Sequence, residues 1–375
     1  MASLKDVAIK AGVSTATVSR VINNHENVSW EVRRLVHTAM NDLSYLPNKS
    51  SISLEGKRSG LLGCVVPNLT NPHFSELIMV LEQEARFFGM DLIVKTHLNQ
   101  PKVEQAAINS FISLGVEGLF WVPTENESEL VDDIRRSGIF TVVVTQRSKF
   151  FNSILVDYRN GMVQVASHLK AQGWSKVGFI GQKGVDVEKY SVLKESFDEL
   201  PIRCTLDREC IFWLTKGIAE SINMANSSSS SLESKDSAYG INGADSNSIS
   251  HDLNEHMLAI VKILLERKQQ GKAPIALWIY NDVCALALEK ECLKAGLRIP
   301  EDVGLISFDN TYLAQILNLS SISQPITKIA KQAYQLVAQA HREHKKVSAE
   351  HNESIECLEI KPELFARQSS KLAKI

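Results

Sequence analysis

The sequence lacks the features that mark membrane, exported and metal-binding proteins. No apolar run approaches the ~18–20 residues that span a bilayer, and residues 142–144 are typical of the short apolar stretches. Residues 1–6 lack the basic and then apolar pattern of an export signal. The six cysteines are not arranged in CxxC pairs, which predicts reduced core thiols rather than disulfides or a zinc site. We therefore expect a cytoplasmic protein with no membrane segment, no metal and no cofactor.

Catalytic motifs are missing as well. The sequence has no phosphate-binding Walker loop and no nucleophile elbow. Residues 178–184 have glycines at GxxGxxG spacing rather than the GxGxxG of a dinucleotide loop, and a tight turn explains them equally well. The segment His341-Arg342-Glu343-His344 is expected on a charged, solvated helix face. These observations predict that the protein is not an enzyme.

The net charge of the chain is also small, but the charged residues are unevenly distributed along it. The chain has 375 residues and a net charge of −2, and its length corresponds to two or three domains of about 150 residues. Residues 1–58 contain eight Lys and Arg against five Asp and Glu, so this segment is +3 and the remainder is −5. A basic head on a mildly acidic body indicates a polyanion-binding module joined to a second binding function. Chance fluctuation in a short segment is the alternative.

Residues 1–46 have the helix signals of a helix-turn-helix domain. Ser3 and Asp6 predict a capping box before a first helix that Gly12 ends. Ser14 can cap a second helix and Ser29 a third. Three short helices with a one-glycine turn between the first two are typical of the helix-turn-helix motif.

The second predicted helix has one apolar face and one small polar face. If Val18, Val21 and Ile22 face the core, the outer face carries Thr15, Ala16, Thr17, Ser19, Arg20 and Asn23. A small polar face with a single arginine fits a major groove ~12 Å wide and can contact base edges. A three-helix bundle whose polar face is merely solvated is the alternative.

The head resembles the lactose-repressor/galactose-repressor (LacI/GalR) family of transcriptional regulators. The resemblance rests on residues 4–8 (LKDVA), 11–14 (AGVS), 17–21 (TVSRV) and 45–48 (YLPN). It continues in register through residues 71–74 (NPHF), 156–157 (VD), 281–282 (ND), 296–303 (GLRIPEDV) and 362–364 (PEL). The similarity covers nearly the whole chain except residues 184–255.

The resemblance implies roles for residues of the head. Bases would be contacted by Thr15, Ala16 and Arg20, and the backbone or groove edge by Thr17, Ser19, Asn23, Ser29 and Arg33. Residues 47–59 would form a hinge that enters the minor groove when two copies meet, through Asn48, Ser51 and Leu54. Leu54 would be an apolar wedge that kinks the duplex, and packing of Leu54 against its own body is the alternative. The family's Ala-Arg-Ser is replaced by Ser51-Ile52-Ser53, so one hinge cation is missing, and Lys49, Lys57 and Arg58 can compensate.

From residue 60 apolar strand runs alternate with amphipathic helices, which predicts parallel sheets covered on both faces. The predicted strands are 61–66, 91–95, 118–122, 140–145, 154–156, 177–180, 276–280, 303–308 and 354–361. So many strands favour two lobes. The predicted fold class is therefore a small all-α helix-turn-helix head plus an α/β body, at 60–375, of two parallel-sheet lobes.

The resemblance implies that this body is periplasmic-binding-protein-like, with a ligand cleft between the lobes and three crossovers. We place the crossovers near residues 157–159, 299–302 and 323–325. The first lobe would contain about 60–157 and 300–323, and the second about 158–299 and 324–361. The serine-rich residues 226–250 have no apolar period and indicate a solvated, mobile insertion in the second lobe. A partner-docking loop is the alternative for that segment.

Ligands of open α/β sheets bind beyond the carboxyl ends of the strands. The candidate effector residues are Asn71, His73, Phe74, Arg147, Asp157, Lys189, Trp213 and Asp282. Asp282 is the strongest candidate, because a carboxylate can accept two hydroxyl hydrogen bonds, and a helix N-cap is its alternative role. Lys189 stands where the family has an arginine, Tyr158 stands for a customary Asn, and Thr145-Gln146-Arg147 replaces an Asp-Arg pair. The resemblance implies a neutral sugar as effector, and Lys189 leaves an anionic sugar phosphate open.

The sequence thus predicts a cytoplasmic, homodimeric repressor of carbohydrate uptake or catabolism genes that binds an inverted-repeat operator and a small-molecule effector. No leucine heptad tail follows Ser369, which favours a dimer over a tetramer. The alternatives are a transcriptional activator of the same fold, an exported sugar-binding protein and an enzyme.

Overall fold

The computed structural model describes residues 3–22, 28–43, 45, 59–124, 130–183, 185–199, 204–214, 246–342 and 355–372. The chain divides into two compact units, Met1–Gly60 and Leu61–Ile375. Four predicted DNA contacts lie outside the described residues: Asn23, Asn48, Ser51 and Leu54. Most of the predicted insertion, residues 226–245, lies outside them as well. In the described part of the chain, no helix is long and apolar enough to cross a membrane.

The described residues of the first unit form the helices α1 (Leu4–Ala11), α2 (Thr15–Ile22) and α3 (Trp30–Asp42). The predicted capping box is confirmed, since Ser3 and Asp6 cap each other's backbone N–H groups at the start of α1. Gly12 ends α1 in the left-handed conformation, with φ of 66°. The Ser14 hydroxyl accepts the Thr17 N–H at 3.1 Å and caps α2. The start and the end of α1 and the start of α2 therefore coincide with local signals.

The first lobe of the second unit is a parallel sheet of six strands in the order β11-β5-β4-β3-β1-β2. Its strands are β1 (Leu61–Val66), β2 (Asp91–Thr96), β3 (Gly118–Trp121), β4 (Phe140–Val144), β5 (Asn152–Val156) and β11 (Cys357–Ile360). Its helices are α4 (Pro72–Phe87), α5 (Pro101–Leu114), α6 (Leu130–Ser137) and α12 (Ile326–Arg342). Helices α4 and α12 pack against each other on one side of the sheet.

The second lobe is a six-stranded sheet in the order β12-β10-β9-β8-β6-β7. Its strands are β6 (Lys176–Gln182), β7 (Thr205–Leu214), β8 (Ile275–Ile279), β9 (Val303–Asp309), β10 (Ser320–Ser323) and β12 (Glu363–Phe365). Only β12 pairs antiparallel, on β10. Its helices are α7 (Tyr158–Ala171), α8 (Val187–Glu199), α9 (Ser246–Gln269), α10 (Asp282–Lys294) and α11 (Tyr312–Ile316). A 3-10 turn, Gln368–Ser370, packs against β9.

The chain crosses between the lobes at three places. It leaves the first sheet at Asp157, returns after Gln324, and leaves again at residues 361–362, between β11 and β12. The predicted crossover at 299–302 is wrong, because β8, α10 and β9 all belong to the second lobe and β9 pairs directly with β8. The predicted lobe membership is wrong for the same reason. Residues 300–323 lie in the second lobe, and α12 and β11 lie in the first.

The sequence did not predict the strands β7, β10 and β12, because they are not apolar runs. Strand β10 is the sequence SSIS, and its buried serines are hydrogen-bonded to neighbouring groups. Strand β7 begins with charged residues and bulges against β6. Strand β12 has only three residues. The end of the predicted insertion is also wrong, since α9 begins at Ser246.

Candidate DNA-binding face and interlobe site

The outer face of α2 is small, polar and open to solvent. Thr15, Ala16 and Arg20 are exposed, and Thr17 and Ser19 are half-buried. On the opposite side Val18 and Val21 are buried against α1 and α3. The predicted orientation of the helix is therefore confirmed. This face has the size and polarity that a major groove accepts.

The start of α3 belongs to the same unit. Ser29 is exposed, and its hydroxyl accepts the Val32 N–H at 3.4 Å. The Arg33 Nε donates to the Val28 carbonyl at 3.3 Å, which holds the side chain against the start of the helix. Lys10 and Asp42 join α1 to the end of α3 with an ion pair of 3.1 Å. The ion pair therefore connects the end of α3 to α1, whereas the Arg33 contact is local to the start of α3.

In the second unit, a buried carboxylate joins the two lobes. Asp309, at the carboxyl end of β9, accepts from the Asn71 amide at 3.3 Å and from the Gln324 amide at 2.6 Å. The His73 Nδ1 lies 3.6 Å from the same carboxylate. Asn71 and His73 belong to the start of α4 in the first lobe, and Gln324 follows the last strand before the return crossing. We call Asn71, His73, Asp309 and Gln324 the interlobe cluster.

Burial controls the charges of the interlobe cluster. It lowers the pKa of His73 to about 3, helped by the positive charge of Lys189, so the imidazole is neutral near pH 7. Burial, together with the negative charge of Asp282, raises the pKa of Asp309 well above its usual value. Two buried polar atoms of the cluster, His73 Nδ1 and Gln324 Oε1, have no hydrogen-bond partner among the described residues.

Lys189 lies beneath the interlobe cluster in the second lobe. Its ammonium donates to Asp186 at 2.8 Å and lies 4.9 Å from the Phe308 ring centroid and 5.5 Å from that of Tyr158. Burial alone would lower the pKa of Lys189, but the Asp186 carboxylate outweighs it and the pKa lies above its usual value. Lys189 and Asp186 therefore form a buried ion pair.

Arg147 makes a second contact across the lobes, nearer to solvent. Its Nε donates to Glu188 of the second lobe at 3.3 Å, and its Nη1 lies 3.1 Å from the Cys357 sulfur. Its Nη2 donates to Glu359 on the edge strand of the first lobe. The hydrogen bond to Glu359, with the neighbouring negative charges, raises the pKa of Arg147. All three nitrogens of the guanidinium are thus engaged.

Two residues where the lobes meet have strained backbones. Thr145 has a φ of 67° and Asp309 a φ of 113°, conformations that are costly for residues other than glycine. The Tyr158 hydroxyl of the second lobe donates to the Thr145 carbonyl of the first at 2.7 Å. Burial raises the pKa of Tyr158 to about 12. Strain at both contacts is typical of a site that changes between two arrangements.

Asp282 differs from its prediction. It is fully buried, and its carboxylate accepts from the hydroxyls of Ser307 and Ser321 and from both the N–H and the hydroxyl of Thr311. A carboxylate has about four lone-pair sites, and all are filled. The predicted ligand contact at Asp282 stays a prediction, and a ligand there would have to displace one of these donors. Its alternative role is wrong, because Asn281 is the N-cap of α10.

The remaining predicted effector residues are dispersed. Phe74 is half-buried beside the interlobe cluster, with its ring edge-on to His73. Asp157 caps α7 by accepting the Asn160 N–H at 2.9 Å. Trp213 packs against Phe179 and Tyr190 in the second lobe. The structure therefore brings Asn71, His73 and Phe74 together, with Lys189 below them.

Sequence reasoning missed Asp309 and Gln324. Asp309 directly follows the predicted strand 303–308, so the rule about strand carboxyl ends could have found it. Gln324 lies within the predicted crossover at 323–325, where only a change of direction was expected. Among the described residues, no group of three or more His, Cys, Asp or Glu is placed to hold a metal ion.

Comparison with known proteins finds a match in each of the two units. Residues 3–48 match the family model "Bacterial regulatory proteins, lacI family", and residues 233–370 match a periplasmic binding protein-like domain. The HTH-type transcriptional regulator DegA of Bacillus subtilis is 25% identical, over 98% of this chain and 98% of its own length.

Solved structures share the fold over nearly the full chain. A lac repressor dimer bound to operator and the anti-inducer ONPF has a TM-score of 0.67 at 18% identity, covering 99% of each chain. A complex of the transcriptional regulator CelR with cellobiose has a TM-score of 0.62 at 18% identity, covering 98% of this chain and 100% of that one. At such identities the structural likeness supports the fold.

Proposed function

Because this chain belongs to the LacI family of bacterial regulatory proteins, we propose that it is a DNA-binding transcriptional repressor controlled by a small molecule bound between its lobes. The observation that carries the proposal is the exposed polar face of α2, with Thr15, Ala16 and Arg20 outward and valines inward. No catalytic function is proposed.

We propose that α2 enters the major groove and reads bases with Thr15, Ala16 and Arg20. An arginine can donate two hydrogen bonds to one guanine, and small neighbours let the helix approach the base edges. Thr17, Ser19, Ser29 and Arg33 would contact the backbone or the groove edge, which fixes register without reading sequence. The hinge residues Asn48, Ser51 and Leu54, together with Asn23, complete the proposed DNA contacts.

The proposed functional unit is a homodimer on an inverted repeat. One related structure is a repressor dimer bound to its operator, and two heads related by a two-fold axis require two half-sites about one helical turn apart. The head would be 1–46 and the hinge 47–59, and the body would hold the two copies together. Because DNA is its target, we place the protein in the cytoplasm.

We propose that the effector binds where the interlobe cluster joins the lobes. A related regulator is known in complex with cellobiose, and control of carbohydrate uptake or catabolism genes fits that ligand class. A ligand that binds one arrangement of the lobes better shifts the population toward it. The strained residues Thr145 and Asp309 lie at the contacts that such a rearrangement would break or form.

The test is selection of duplexes from a random library with the full chain, followed by fluorescence anisotropy. We expect an inverted repeat, with affinity that falls steeply as salt rises. Arg20→Ala should cost about 1–3 kcal/mol and relax the preference at the base it contacts. Arg136→Ala, which removes an exposed arginine of the body, is the matched control and should change little. An Arg20→Ala protein with unchanged base preference would show that α2 does not read DNA.

A further inference from the structure

The two cations of the interlobe site are already neutralised by protein carboxylates. Lys189 donates to Asp186 at 2.8 Å and otherwise faces aromatic rings. Arg147 directs its Nε and Nη2 at Glu188 and Glu359. A phosphate on a ligand would have to displace one of these carboxylates. The anionic effector that Lys189 suggests from the sequence is therefore disfavoured.

The carboxylates of Asp309 and Asp282 at the same place accept no hydrogen bond from a cation among the described residues. Asp309 is almost completely buried, and its hydrogen-bond donors are the neutral amides of Asn71 and Gln324. The fully buried Asp282 also accepts only from neutral groups. Burial and the charge of Asp282 raise the pKa of the half-buried Glu76 on α4. Burial and Asp282 raise the pKa of Asp309 more than the charge of Lys189 lowers it, so a cation on a ligand would favour the ionised form of Asp309.

Apart from the unpaired Nδ1 of the buried His73, the hydrogen-bonding capacity left at the site is that of acceptors. The carboxylate of Asp309 accepts two hydrogen bonds, which leaves about two of its four lone-pair sites. The buried Oε1 of Gln324 has no partner among the described residues. The Phe74 ring lies half-buried alongside and offers an apolar face. A ligand that completes this site must bring donors, and preferably a positive charge.

We propose that the effector is an aminated sugar, whose protonated amino group binds the Asp309 carboxylate and the Gln324 side-chain oxygen while its ring packs on Phe74. This inference rests on the proposed effector site between the lobes and narrows the ligand class there. An ammonium fits better than a metal ion, because the described residues contain no group of three His, Cys, Asp or Glu placed to ligate one.

The probes are glucosamine, galactosamine and mannosamine, each compared with its neutral parent sugar and its uncharged N-acetyl form. Thermal shift and calorimetry on the full chain, at a pH where the amine is protonated, give the dissociation constants. We expect at least one amino sugar to bind at least tenfold more tightly than both of its uncharged counterparts. The phosphate ester of glucose should bind more weakly than glucose. Absence of binding by all three amines, or equal binding by a neutral parent, overturns the proposal.

Asp309→Asn removes the charge and keeps the size of the side chain. In this variant the amino sugar should lose its tenfold advantage, and its affinity should approach that of the neutral parent. Glu301→Gln removes an exposed carboxylate near the opposite end of β9 and should keep the advantage. If Asp309→Asn does not fold, Gln324→Leu provides the second test, because it removes the unpaired acceptor and should weaken amine binding.

Operator binding is measured on the same preparation without ligand, so that failure of the proposed ligand class can be told from failure of the proposed DNA-binding function. A protein that binds its operator but shows no preference for amines refutes the ligand class alone. A protein with no preference among duplexes refutes the proposed function, whatever ligand its body binds.

Discussion

The hydroxyl of Tyr158 makes a contact between the lobes that a single-atom change removes. It donates to the Thr145 carbonyl at 2.7 Å in a buried setting. In Tyr158→Phe the carbonyl remains buried without that donor while the lobes are together, but water hydrates it when they separate. Leaving a buried acceptor unsatisfied costs about 1–3 kcal/mol. The joined arrangement should therefore lose about 5- to 150-fold in population relative to the separated one.

Distance measurement between fluorophores on the two lobes, by single-molecule energy transfer, gives this population directly. Tyr190→Phe removes a tyrosine hydroxyl within the second lobe and serves as the matched control. We expect Tyr158→Phe to shift the distribution toward separated lobes, and Tyr190→Phe to leave it unchanged. An unchanged distribution in Tyr158→Phe would show that this hydrogen bond does not hold the lobes together.

Two further predictions concern pH and the stability of the head. Burial lowers the pKa of His73 to about 3, so below pH 6.5 the unfolded chain binds a proton at this residue that the folded chain does not. The free energy of unfolding should therefore fall as the pH drops from about 6.5 toward 3, by at most ~1.4 kcal/mol per pH unit. The raised pKa of Asp309 changes the stability with the opposite sign, so the wild-type protein is compared with His73→Asn. In denaturant titrations at falling pH, the free energy of unfolding of His73→Asn should decline less than that of the wild type. Equal declines would refute the burial argument. Ser3→Ala removes the capping box of α1 and should lower the free energy of unfolding of the head by about 0.5–2 kcal/mol. The control Ser137→Ala, in the body, should leave the unfolding of the head unchanged. A head of unchanged stability in Ser3→Ala would contradict the capping assignment.

The head was predictable because its signals are local. A capping serine, a terminating glycine and an apolar stripe each act within one or two turns of helix, and Ser3, Gly12 and Val18 have the predicted roles. The strand positions were predictable for a similar reason, since β1 is a continuous apolar run bounded by polar residues.

Membership of the two lobes was not predictable in the same way. A fully buried strand such as β9 has the same apolar composition in either sheet, so its sequence does not tell which neighbour it pairs with. The pairing depends on which exposed faces remain after the other strands are placed. The crossover was therefore put at residues 299–302 rather than at 361–362.

Asp282 and Asp309 show the same limit at the level of single residues. Both are acidic residues near the carboxyl end of a strand, and the sequence favours Asp282 because it matches a family motif. The structure surrounds Asp282 with four donors and leaves Asp309 joining the lobes. The difference is set by Ser307, Thr311 and Ser321, and no local pattern indicates that these hydroxyls converge on one carboxylate.

In the proposed function, a ligand between the lobes controls DNA binding by the head. The most direct test is the affinity of the full chain for its selected inverted repeat, with and without the small molecule that stabilises the body in the thermal-shift screen. We expect at least a tenfold change in affinity for that duplex and none for a scrambled one. Equal affinity at saturating ligand would contradict it.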